Sequence, residues 1–311
     1  MEHLTPLPIE ETIADLVNPD KPILNSRLAD LSNLNSEELK LFEQACETIE
    51  PKRRRQIISR LVELTEDNFE LNFDSIFKGR LKDKDAEVRT RAIEGLWENE
   101  EASLIDLLIN LLEQDSSEKV QAAAATALGK FALLAELRKL RPGYKPKISQ
   151  ALLTIINDKS KPLEIKRRAL EAAAPLSLPQ MKKAITEAYQ SGNPKLKTSA
   201  LFAMGKNCSP SWLPILLKEL GSADAEIRYE ATTACGELGE KEAAPYLIEL
   251  VDDPDIEVRL AAIRALGKIG APEAKACLEQ CLDNPNEAIQ QAAEQALYEL
   301  EAGEEPLSFR I

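Results

Sequence analysis

The sequence predicts an all-α fold: an α-solenoid, or superhelix, of stacked antiparallel helix pairs, about eight repeats long. Three observations predict it. The 311-residue chain is 44% hydrophobic but only 5% aromatic, and Ala and Leu dominate. That composition favours close-packed helices over a sheet, which would draw on Val, Ile, Thr and aromatics. One pattern, DPDIEVRLAAIRALG at 253–267, returns as DKDAEVRTRAIEGLW (83–97), SGNPKLKTSALFAMG (191–205) and SADAEIRYEATTACG (222–236), with weaker copies beginning at 115, 159 and 283. The copies are also evenly spaced. Anchored on Val88, Val120, Ile165, Leu196, Ile227, Val258 and Ile289, the steps are 32, 45, and then 31 four times. A fixed period of this size marks a repeat array.

The elements follow in chain order. Residues 1–68 read as an N-terminal helical cap with one degenerate repeat. Short helices are expected near 9–17 and 26–32, then SEELKLFEQACETI from Ser36 and PKRRRQIISRLVEL from Pro51, with Pro suited to a first helical turn. A solenoid needs atypical ends to cover its apolar face. Residues 69–300 form the array. In its best copy Val258, Ala262, Ala265, Leu266 and Ile269 fall at helical spacing. Three residues before each anchor stands a short polar residue (Asp85, Ser117, Asn193, Asp224, Asp255, Asn286), replaced by Pro162 in one copy. These are N-caps, whose oxygens accept the first unpaired amides. Gly205, Gly236 and Gly267 recur at one column and are expected to relieve crowding where helices cross. A second helix precedes each copy, as in SWLPILLKEL, AAPYLIELV and APEAKACLEQCL. The 45-residue step places an insertion near 131–147, between a helix end and the next helix start, with an ordered turn at Pro142, Gly143 and Pro146. Residues 301–311 are a short tail in which Leu307, Phe309 and Ile311 are candidates to fold back.

Charge and residue inventory narrow the function. The net charge is −14, which disfavours a general nucleic-acid coat. The opening residues are acidic and broken by prolines, so no signal peptide is expected, and no window is apolar enough to span a membrane. Five cysteines without a paired framework predict reduced thiols in a cytoplasmic protein. A monomer is expected. The only histidine is His3, which removes Ser-His-Asp and Cys-His catalysis and a His-based metal site from the array. No phosphate-loop or dinucleotide fingerprint appears. Cys277 and Cys281, four apart, have the spacing of half a metal site, but their columns are packing columns. The expectation is no enzyme activity, no cofactor and no metal.

The pattern D-x-x-V-R-x-x-A-x-x-A-L-G, clearest at 83–97, 222–236 and 253–270, resembles the HEAT repeats of the phycobilisome-lyase type, over roughly residues 70–300. The resemblance implies a scaffold more than an activity. It also implies a ladder pairing a turn Asp with an Arg six residues later. Asp83 with Arg89 and Asp253 with Arg259 fit; Ser222 with Arg228 and Ser191 with Lys197 fit in part, so the ladder is expected to be broken. Helices that begin at the anchors would line the concave side. Positions two and six after each anchor then form one face, bringing Phe202, Tyr229 and Leu260 together with Arg167 and Arg264 flanking. Helix rotation decides whether these side chains face solvent or the neighbouring row. Residues 133–200 carry fourteen Lys and Arg against five acids. That basic middle, with Arg138, Lys139, Arg141, Lys145 and Arg168, either meets an anionic partner or only solubilises outward faces.

The favoured function is a non-catalytic scaffold that binds another protein, with an acidic segment, on the concave face. Two alternatives stand beside it. One is a phycobilin-lyase-like subunit or chaperone acting on a chromophore protein, which rests on fold analogy. The other is nucleic-acid binding through the basic middle repeats.

Overall fold

The computed structural model describes residues 9–304, with side chains to residue 301. His3 and the tail residues Leu307, Phe309 and Ile311 lie outside the described residues. The chain is an α-solenoid, and the described residues contain helices and no strands. It divides into two compact units, Met1–Ala151 with Ser160–Arg168, and Leu152–Lys159 with Ala169–Ile311.

The first unit begins with α1 (Ile9–Val17) and α2 (Asn25–Ala29). Three pairs follow: α3 (Ser36–Thr48) with α4 (Pro51–Asp67), α5 (Asp74–Arg80) with α6 (Ala86–Gly95), and α7 (Ser103–Gln114) with α8 (Glu118–Glu136). The division between the units falls inside α9 (Tyr144–Asn157) and α10 (Leu163–Ala173). The second unit continues with α11 (Pro179–Gln190), α12 (Pro194–Asn207), α13 (Leu213–Glu219), α14 (Ala225–Leu238), α15 (Ala244–Glu249), α16 (Ile256–Ile269), α17 (Pro272–Cys281) and α18 (Glu287–Glu304). Eight pairs therefore run from α3 to α18. In each unit the second helices pack against one another in a row: α4, α6 and α8 in the first, and α12, α14, α16 and α18 in the second.

Local chemistry explains where the helices start. The Asn35 side chain accepts the amides of Glu37 and Glu38 while Glu38 returns to the Asn35 amide, a capping box. Asp85, Asn193, Asp224, Asp255 and Asn286 each accept a first-turn amide. Ser117 stands at the expected cap of α8, but its side chain makes no capping hydrogen bond. The three recurrent glycines sit at helix crossings. A Cβ on Gly205 or Gly236 would lie 2.8 Å from the Cα of Ala234 or Ala265, and one on Gly267 would lie 2.7 Å from the Cβ of Ala296. Glycine there permits the next second helix to approach backbone to backbone. The core of the first unit is aromatic by contrast, with Phe42, Phe73, Phe77 and Phe131 fully buried.

The region 131–147 differs from its expected form. It is not a loop between helices, because α8 continues through Phe131–Glu136 and α9 begins at Tyr144. The extra residues in part lengthen α8, to 19 residues against 14 in α12, α14 and α16, and residues 137–143 connect it to α9. Arg138 ends α8 at φ 58°, and the Lys139 amide donates back to the Leu134 carbonyl. This is a left-handed helix stop built without glycine.

The Arg–Asp ladder also differs. Arg89 Nη1 donates to the main-chain carbonyl of Asp83, six residues back, at 2.7 Å. Its Nε and Nη2 grip the carboxylate of Asp115 in the following turn, both at 2.7 Å. Arg228 repeats this on the Ser222 carbonyl and on Asp253, at 2.7 and 2.8 Å. The contact six residues back uses backbone, so serine at 222 does not break the rung. Arg54 supplies a further rung to Asp83 at 3.1 Å. Where Lys197 replaces arginine, its Nζ meets the buried Glu219 at 2.7 Å, and the Tyr189 hydroxyl donates to the same carboxylate. Burial and the Glu219 charge push the Tyr189 pKa up to about 12.

Candidate functional site

With no histidine in the array, chemistry would fall to carboxylates and thiols. Among the described residues no group of three or more His, Cys, Asp or Glu is placed to hold a metal ion, and no helix is long and apolar enough to cross a membrane. Cys46 and Cys235 are buried, and burial pushes their thiols up to about 11 and about 12. Cys277 and Cys281 lie one turn apart on α17; their interaction lowers the Cys277 pKa and, with burial, raises that of Cys281. The candidate site is therefore a surface, the outward side of the second helices.

In the second unit this side carries a shallow groove of about 280 Å³. Tyr229 and Thr233 of α14, Arg264 and Lys268 of α16, and Gln295 and Glu299 of α18 line it, across three consecutive second helices. Along the same ridge Glu237 pairs with Lys206 on one side, at 3.0 Å, and with Lys268 on the other. Burial raises the Glu237 pKa less than the two lysines lower it, so its carboxyl sits below the usual range. The sequence carried this signal unread: Lys206, Glu237, Lys268 and Glu299 alternate at 31-residue steps.

The predicted face is only partly assembled. Tyr229 and Arg264 line the groove together. Phe202 is half-buried and lies outside that lining, with Lys206 Nζ 5.8 Å from its ring centroid. Leu260 is buried, at 7% exposure, which corrects the expectation that it faces a partner. The offset from the anchor does not set exposure by itself. Thr90, Thr198 and Leu260, two residues after an anchor, are buried, while Tyr229 is half-buried and Gln291 exposed at the same offset. Six after an anchor, Glu94, Thr126, Arg264 and Gln295 are exposed, while Glu171, Phe202 and Thr233 are half-buried. Arg167, in the first unit, bonds Glu164 at 2.8 Å. Of the basic group, Arg138, Lys139 and Arg141 are exposed and make no ion pair among the described residues. Lys145 pairs with Glu136 and Arg168 with Glu164, each at 2.8 Å.

The first unit holds a larger cleft, of about 860 Å³, that the sequence reading missed. Its floor is Ala122, Ala123 and Ala127 of α8, and Trp97 stands on its wall. Lys130 Nζ donates to the main-chain oxygens of Leu96, Trp97 and Asn99. Burial lowers its pKa, against the opposing charges of Glu100, Asp74 and Glu98.

Comparison with known proteins agrees with this architecture. Residues 74–147 and 213–298, just over half the chain, match the family described as HEAT repeats. The chain belongs to the HEAT-repeat family. Among solved structures, this HEAT-repeat chain is similar to the YibA protein of Escherichia coli, at 18% identity over 90% of this chain and 99% of that one, TM-score 0.50. It is similar to Kap95p in a complex with RanGDP, at 11% identity over 94% of this chain and 45% of that one, TM-score 0.50. The CpcE–CpcF phycocyanin lyase complex of Nostoc aligns at 19% identity over 73% of this chain and 94% of that one, TM-score 0.48. At these identities the likeness is one of fold. No curated protein sequence matches the chain.

Proposed function

We propose that this HEAT-repeat protein is a non-catalytic interaction scaffold that binds a segment of another protein along the outward side of its second helices. The observation that carries the reading is the second-unit groove, where Tyr229 and Arg264 stand together across consecutive repeats. Tyrosine and arginine supply much of the energy at protein interfaces, because each offers a large contact area with a polar end. A repeat array extends such a surface without needing a deep pocket. In the first unit, the exposed cations Arg138, Lys139 and Arg141 offer their own patch to an acidic stretch of a partner. Affinity capture with the protein and with a Tyr229→Ala, Arg264→Ala variant tests the reading. A partner retained by the parent should be lost from the variant, with helicity and melting unchanged. Equal recovery from both would overturn it.

A further inference from the structure

The glycine column marks an exception that points to a second surface. Gly205, Gly236 and Gly267 close the pattern in their copies, and the next second helix packs directly on them. In the copy at 83–97 the same column holds Trp97, and the weaker copies hold Gly129, Ala174 and Tyr298. Helix α6 stops at Gly95, before that position, and the Trp97 side chain is 52% exposed beside the cleft of about 860 Å³.

The floor of this cleft is apolar and low, built from Ala122, Ala123 and Ala127. Two of its four cations are paired with carboxylates: Arg91 bonds Glu94 and Arg168 bonds Glu164, each at 2.8 Å. Lys130 is held by backbone carbonyls, and Lys119, largely exposed, lies 3.9 Å from Glu87. Five lining glutamates outnumber the four cations by one. Two lining carboxylates, Glu66 and Glu118, make no ion pair among the described residues. The charge left to face a ligand is negative, in a chain whose net charge is −14. The lining runs from α6 across α8 to Glu164 and Arg168 of α10. With packed helices 8–10 Å apart, that is roughly 20 Å. Such a length suits about six extended residues of a peptide better than one compact small molecule.

We infer that the first-unit cleft is a docking groove for a protein segment that carries an apolar side chain flanked by Lys or Arg. The apolar group rests on the alanine floor, one cation stacks on the Trp97 ring, and others meet Glu66 and Glu118. The inference rests on the scaffold reading and gives the partner's chemistry at a surface separate from the Tyr229–Arg264 groove.

Fluorescence tests it directly, because the chain has two tryptophans and Trp212 is buried. The probe is a synthetic peptide of alternating Lys and Leu, and its control has Glu for Lys. The Lys peptide should shift Trp97 emission to the blue with a saturating curve, and the Glu peptide should not. The shift should vanish in Trp97→Phe, and the Kd should rise about tenfold in the Glu66→Gln, Glu118→Gln variant, whose changes are exposed. The Tyr229→Ala, Arg264→Ala variant should keep the full shift, so failure of the other groove would leave this one standing. No shift with the Lys peptide, equal shifts with both peptides, or an unchanged Kd in the double carboxylate variant would each overturn the inference.

Discussion

The two units use the same repeat differently. In the second unit the step is constant at 31 residues, small residues hold the crossings, and the surface groove is shallow. In the first unit the steps are uneven, phenylalanines fill the core, and Trp97 replaces the column glycine beside a cleft three times as large. Regular spacing lets each helix seat on the next and leaves little room between them. The period thus sets the architecture, and the larger cleft lies in the unit that departs from it.

The ladder gives the largest expected effect. Arg228 and Asp253 form a bidentate pair with the carboxylate only 3% exposed. Removing one member of a buried pair costs about 3–5 kcal/mol, because the other is left uncompensated. Arg228→Ala should therefore lower the urea midpoint of the second unit strongly. Arg259 occupies the same column one repeat on, but the turn it faces carries Asn284, and its Nε has no hydrogen-bond partner. Arg259→Ala should cost less than half as much, and Asn284→Asp should raise the midpoint by supplying the missing carboxylate. Equal losses at 228 and 259 would break the distinction between a complete and an incomplete rung. The rung should also be acid-sensitive. Burial raises the Asp253 pKa, but the Arg228 hydrogen bonds, the Asp255 amide and the charges of Arg228 and Arg259 outweigh it, leaving the pKa below the usual range. A folded pKa lowered in this way gives stability that is present above the unfolded value near ~3.9 and lost as pH falls through the folded value. Arg228→Ala should flatten that acid limb.

The crossings give the next effect. Gly236→Ala would improve helix propensity by about 1 kcal/mol, but its Cβ would sit 2.8 Å from Ala265 backbone and side chain. Overpacking of this kind costs about 1–3 kcal/mol, so the clash should win and the melting temperature should fall. Trp97→Ala in the first unit removes a ring that is half exposed and faces open space, so its stability should change by less than about 1 kcal/mol. Thermal melts of the two variants compare the units directly. A stabilised Gly236→Ala would show that the column tolerates a methyl group and that the glycine is not required by packing.

Most of the fold was legible from residues that act locally. The anchors, the caps at Asp85, Asp224 and Asp255, and the column glycines each declare themselves within a few positions. The site was less legible because its geometry is set between helices. One residue turns a helical side chain through 100°, so the rotation that buries Leu260 and exposes Arg264 is fixed by the neighbouring row and not by the period. The rungs were misassigned for a related reason. Arginine is long enough to reach the next turn's carboxylate, 25 residues on for Arg228 and 26 for Arg89, while its contact six residues back is with a carbonyl that any residue supplies. Trp97 was visible in the repeat alignment, but its meaning depends on what the glycine column does in three dimensions.

The smallest effect is kinetic and reads the packing of the second unit from inside. Cys235 precedes Gly236 on α14, is fully buried, and has its thiol pushed up to about 12 by burial. Cys208 caps α12 in a left-handed conformation at φ 49° and is exposed. Thiolate is the reacting species, so a maleimide or disulfide reagent near pH 8 should modify exposed Cys208 and half-exposed Cys277 early, and Cys235 only when α14 opens. Gly236→Ala, by straining the crossing beside Cys235, should speed that slow phase several-fold while leaving the Cys208 phase unchanged. Mass spectrometry of peptides taken during the reaction assigns each phase to its cysteine. A Cys235 rate insensitive to the substitution would mean that α14 opens without separating from α16, and that the close crossing at Gly236 does not limit local opening of the second unit.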